Sequence, residues 1–120
     1  MSNIWTRAGL LLFLSAVITS CGTSYKAKII ETINKESAFQ ATQSAPDPAN
    51  AAQNISKIMK GFSEYKSCLE TLGRNKKIAP KEAADLLALD KSSGIKIDST
   101  VASDVRMAKV YNAVTNKFCN

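Results

Sequence analysis

Histidine is absent from all 120 residues, and with it go the commonest general base and the commonest metal ligand. A glycine-rich phosphate loop and a dinucleotide fingerprint are missing, as is any set of cysteines spaced to hold a metal. The three cysteines, Cys21, Cys68 and Cys119, include no Cys-x-x-Cys pair, so nothing is arranged for thiol–disulfide exchange. Strand signals are nearly lacking too: the alternating Ile95-Lys96-Ile97 is too short to build a sheet. No apolar run reaches the roughly 18 to 20 residues that a membrane-crossing helix needs. These absences argue against an enzyme, a cofactor and a metal, since no nucleophile has a base and no acid has a working partner.

What the chain does have is a strong beginning. Arg7 supplies a positive start, and an apolar core from Ala8 to Ile18 follows, interrupted only by Gly9 and Ser15. Thr19 and Ser20 then lead to Cys21, which completes the layout of a secretory signal. Ile18-Thr19-Ser20-Cys21 resembles the lipobox of bacterial lipoproteins. That resemblance implies diacylglyceryl transfer to the Cys21 thiol, cleavage before it, and acylation (palmitate, for example) of the new amino terminus. Two or three acyl chains, at about 0.8 kcal/mol per buried methylene, hold far more firmly than one. The family's sorting rule retains lipoproteins with Asp after the cysteine in the inner membrane; Gly22 here implies the outer membrane, with the domain facing the periplasm. The competing readings are an ordinary cleaved signal and an uncleaved signal anchor.

Cleavage would leave 100 residues, enough for one small domain. Only one cation, Arg7, departs with the first 20, so 15 basic residues minus 10 acidic ones leave +5. Export argues against nucleic acid as a partner, and no small-molecule substrate is evident. With Cys21 lipidated, Cys68 and Cys119 remain as an even pair in an oxidising compartment, where a disulfide is expected. Chain entropy gives roughly 4 kcal/mol for closing a loop of about 50 residues. The alternative is two separate thiols.

Residues 21–47 read as lipid anchor and tether. Lys26 and Lys28 lie close enough to the lipid to attract an anionic surface, or serve only solubility. From Lys26 to about Thr42, Ile29, Ile30 and Ile33 share one side, Phe39 extends the stripe, and Glu31 and Lys35 form an i,i+4 pair. This is either a helix docked on the core or a partly ordered stalk. Pro46 and Pro48 end it.

Residues 48–120 read as the helical core. Asp47 caps a helix with Pro48 at its first position, and Ile55, Ile58, Met59, Phe62, Tyr65, Leu69 and Leu72 mark one buried stripe as far as a stop at Gly73. Gly61, inside it, points to tolerated strain or to close approach of another backbone. Arg74-Asn75-Lys76-Lys77, extended by Lys81, is a basic turn that is either solvated or aimed at anionic lipid or an acidic partner. A short helix from about Pro80 carries Ala83, Leu86 and Leu87 and closes at Ser92-Ser93-Gly94. Its Glu82 and Asp85 fit helix-dipole complementarity better than acid–base work. Asp98 or Ser99 caps a last helix whose apolar stripe drifts from Val101, Val105 and Ala108 to Met107, Tyr111, Val114 and Phe118.

Two short matches carry no weight. Ser63-Glu64-Tyr65-Lys66 fits S-x-x-K but lacks the partner motifs that chemistry needs. Asn54-Ile55-Ser56 fits a glycosylation acceptor, but its middle residue belongs to the expected buried stripe.

The expected architecture is an all-α domain of three or four helices, stapled by Cys68–Cys119, behind a cleaved lipoprotein signal peptide at 1–20. The lipobox, the run Phe62-Ser63-Glu64-Tyr65-Lys66-Ser67-Cys68 and the late Cys119 resemble small helical pilotins of type II secretion systems. Pilotins hold the end of a secretin subunit between helices while carrying it to the outer membrane. This chain departs from them in ending one residue after the second cysteine. The resemblance implies a lipid-anchored assembly module for an envelope protein. A rival is an exclusion or masking lipoprotein, of the kind plasmids and phages use to block a competitor, and a lysis-associated or inhibitor lipoprotein is a third.

Overall fold

Several helices and turns of this chain begin where a polar side chain satisfies a free backbone amide. Ser24 Oγ accepts from Ala27 N at 3.1 Å and opens α1, Tyr25–Ala41. Asp47 accepts from Ala49 N, but what it opens is the 3-10 turn Pro48–Asn50; α2 follows as Ala51–Arg74. Pro80 stands at the first position of α3, Pro80–Ala88, where the Glu82 carboxylate accepts from Ala79 N at 2.8 Å. Asp98 caps the one-turn α4, Ser99–Ala102, and Asp104 accepts from Arg106 N at the head of α5, Arg106–Phe118. These elements belong to a computed structural model that describes residues 24–120. The signal segment and Cys21 lie outside the described residues. Among them there is no strand, and no helix is long and apolar enough to cross a membrane.

Helix ends depart from the simplest expectation. Gly73 does not stop α2; the helix runs on through Arg74, and the left-handed residue is Lys76, with φ 60°. Lys77 N then reaches back to Leu72 O at 2.9 Å and Lys76 N to Gly73 O at 3.0 Å, a Schellman closure without glycine. Leu89, at φ 53°, closes α3 in the same manner, with Asp90 N on Asp85 O. Only after a 3-10 turn at Lys91–Ser93 does Gly94 take φ 94°.

Packing makes this an all-α domain stapled by one disulfide. Helix α5 packs mainly on α2 and α1, and α3 leans on α2. Ile29 and Ile33 of α1 are fully buried in one cluster with Tyr65, Leu69, Leu86, Val101, Val110 and Val114. Of the two readings for residues 25–41, the docked helix therefore holds. The packed unit begins at α1, not at residue 48, because two isoleucines one turn apart need a partner that only α2 to α5 provide. Phe39 does not extend their stripe: it is 56 % exposed, and burial continues through Ser37 and Gln40. Those polar side chains are tolerated because both are bonded. Ser37 Oγ accepts from Asp98 N at 2.9 Å, and Gln40 Nε2 donates to Glu36 at 2.7 Å.

The extended Ile95-Lys96-Ile97 piece forms no sheet. Asn34 of α1 holds it as a neighbouring strand would, donating to Gly94 O at 3.0 Å and accepting from Lys96 N at 2.7 Å. Ile95 is thereby pressed into the core. The drifting stripe of the expected last helix is a real break between α4 and α5 at 103–105. Arg106 locks that corner, unmarked by any sequence motif. Its guanidinium donates to Asp104 at 2.7 Å, to Thr100 O at 3.1 Å, and to Gln43 O at 3.1 Å at the end of α1.

Candidate functional site

Helix α2 is longer than the layer that covers it. Tyr65, Cys68, Leu69 and Leu72, in its second half, are buried, with the Tyr65 hydroxyl donating to Leu86 O of α3. Burial pushes the Tyr65 phenol well above the ordinary tyrosine value, and the neighbouring Tyr111 adds to the effect. The first half of the same stripe is bare: Ile55 is 57 % exposed, Met59 66 % and Phe62 36 %. The expectation of one continuous buried stripe from Ile55 to Leu72 is corrected here. The physical reason is the course of α5, which crosses α2 on its other flank. A Cβ built on Gly61 would sit 3.4 Å from Ala108 O and 3.5 Å from Ala108 Cα, ordinary van der Waals contact, so α5 passes beside Gly61 without requiring a glycine there. With α5 seated there and α3 beside Tyr65, no described element is left to cover Ile55 and Met59.

Hollows flank the bare stripe. Beside Ile55 and Ile58 lies a cleft of about 290 Å³, walled by Pro46, Pro48, Ser103 and Val105. A second, of about 430 Å³, is lined by Leu89, Ile97, Ala102, Ser103, Met107 and Tyr111. Ser103 borders both, and Phe62 packs edge-on against Tyr111 with ring centroids 5.5 Å apart. The result is one apolar surface about 10 Å long along α2, with side-chain-sized recesses on its border. Polar groups border it: Asp47, Asn54 and Asp104 at the first cleft, and Lys91 and Ser99 at the second.

Other residues singled out in the sequence are placed elsewhere. Cys68 and Cys119 form the disulfide, Cα–Cα 5.7 Å, joining the ends of α2 and α5. Cys21 is outside the described residues. Glu82 is occupied as a cap, while Asp85 takes Lys26 at 3.0 Å and Lys81 at 3.3 Å, so α3 is tied to α1. The hydrogen bond from Lys26 is the main cause of an Asp85 carboxyl held below the usual carboxylate range. Lys26 is thus spent within the fold. Glu31 and Lys35 pair as expected at 3.5 Å. Ser63 and Lys66 are both exposed, and Ile55 is exposed too, so burial offers no argument against the Asn54-Ile55-Ser56 match. Among the described residues no group of three acidic or cysteine side chains is placed to hold a metal. The chain matches no family model, no curated protein and no solved structure.

Proposed function

We propose that this protein is a lipid-anchored envelope module that captures an apolar-faced segment of a partner protein on the α2 surface at Ile55, Met59 and Phe62. The carrying observation is that this helix leaves Ile55 and Met59 mostly exposed and Phe62 one-third exposed, at i, i+4 and i+7, while its second half is spent on the core. Bare apolar stripes rimmed by polar residues mark interaction sites. The spacing and the flanking recesses suit a partner helix or strand about two helical turns long. The lipobox at Ile18-Cys21 supports attachment to the outer membrane, and the stapled helical domain supports a role in holding or carrying the partner, as a pilotin-like accessory does.

A photocrosslinking amino acid at position 59 in cells, with position 70 of the same helix as control, tests the capture. The expected result is one envelope protein joined through an apolar segment from position 59 only, and lost in Ile55→Ser/Phe62→Ser. A secretin would identify an assembly role, whereas a receptor or transfer protein would identify the exclusion role. Equal products from both positions, no product, or only a second copy of this chain would refute it. Intact mass of wild type and Cys21→Ser from membranes checks the anchor separately.

A further inference from the structure

The opposite end of the domain carries a different surface. The start of α1, the turn after α2 and the end of α5 converge there, because α1 runs antiparallel to the other two. Tyr25 and Phe118, 93 residues apart in sequence, meet edge-on with centroids 6.1 Å apart, both partly exposed. Three lysines ring this pair: Lys28 Nζ lies 5.6 Å and Lys77 Nζ 5.4 Å from the Tyr25 centroid, and Lys117 Nζ lies 5.7 Å from that of Phe118. All three are exposed, and among the described residues none is paired with a carboxylate. Asp85, which reaches the start of α1, is taken by Lys26 and Lys81.

We propose that this aromatic pair with its lysine collar is the face that the domain lays on an anionic lipid surface. Aromatic rings with a polar edge and lysines with long apolar stems suit the headgroup layer, where the ammonium groups meet phosphate and the rings meet the acyl boundary. The place of the attachment point chooses lipid over a protein partner. Cys21 precedes Tyr25 by four residues, a reach of at most about 14 Å, so a lipid there holds this end at the bilayer. Phe62 stands about 18 Å along α2 from Arg74, so the apolar stripe lies away from the anchored end. The inference rests on the lipid-anchored reading of the function and adds orientation to it.

The test uses the chain as extracted from cell membranes, in phosphatidylcholine vesicles with and without phosphatidylglycerol, carrying Asn75→Trp or Gln53→Trp as probe and brominated lipid as quencher. The single tryptophan of the sequence, Trp5, lies in the segment that cleavage before Cys21 removes, so the unsubstituted processed chain should give no signal of its own. Expected is quenching at position 75 that grows with phosphatidylglycerol, none at position 53, and its loss in Lys28→Glu/Lys77→Glu/Lys117→Glu while the chain stays on the vesicles. Equal quenching at both positions, or quenching unchanged in the triple variant, overturns the proposal. Loss of the unsubstituted chain from neutral vesicles would instead sink the anchored reading. Binding to phosphatidylglycerol vesicles then scores the patch alone. Near a surface each lysine is worth about fivefold, so Lys28→Gln/Lys77→Gln/Lys117→Gln should weaken binding roughly a hundredfold; equal binding overturns it.

Discussion

Ile33→Ala and Met59→Ala pose the sharpest question for this fold, because both residues sit on apolar stripes in the sequence and the structure separates their fates. Ile33 is fully buried between α1 and the rest, whereas Met59 is 66 % exposed. Removing three carbons from Ile33 forfeits about 2.4 kcal/mol of transfer energy at 0.8 kcal/mol per methylene. The cavity left by that volume adds about 1 to 2 kcal/mol. A total of about 3 to 4 kcal/mol is a large part of the 5 to 15 kcal/mol typical of a whole domain. It corresponds to a fall in Tm of about 15 °C or more. Met59→Ala gives up only the sheltered third of its side chain and gains a better helix former, so its cost is under about 1 kcal/mol. Urea unfolding followed by far-ultraviolet circular dichroism, with the disulfide intact, measures both. Ile33→Ala should lower the midpoint sharply with the slope unchanged, and Met59→Ala should leave it nearly in place. An unchanged midpoint in Ile33→Ala would mean that α1 is not packed on the core, and the reasoning from burial would fail.

Replacing both Cys68 and Cys119 by Ser should cost about 4 kcal/mol, from a bridge spanning 51 residues; reduced and oxidised wild type compared in urea give the same difference. Lys76→Gly should stabilise by about 1 kcal/mol, since the left-handed φ of 60° at that position penalises a side chain and its ammonium is exposed; a higher Tm is the expected readout. Stability should fall as pH rises above about 10. The phenols of Tyr65 and Tyr111 have pKa values raised by burial, so the folded state holds protons that the unfolded chain gives up there. Urea midpoints taken across that range should slope less in Tyr65→Phe than in wild type, and equal slopes would refute the assignment.

Much of the local structure was legible in the chain. Asp47, Asp98 and Pro80 mark starts because a cap and a fixed φ act within three or four residues. Cys68 and Cys119 announced a staple through their number once Cys21 was set aside. Arg106 was not legible, since its partners Thr100, Asp104, Gln40 and Gln43 come from three segments and only the fold collects them. The burial of Ser37 was hidden for the same reason: its hydrogen bond from Asp98 N exists only after α1 docks. Tyr25, Lys77 and Phe118 stand in three separate stretches, and no spacing rule links them.

The sequence by itself determined the all-α character, where most helices begin, and which residues are apolar. The tertiary structure alone decided which apolar residues are spent on the core. A period of 3.6 says which side of α2 is oily, but not how far along that side a neighbour extends. That depends on the path of α5, which passes beside Gly61 on the other flank of α2, and on the break at 103–105 that shortens it. Ile55 and Met59 are left bare, and Phe62 only half covered by Tyr111, because the described residues have no further element to lay over them.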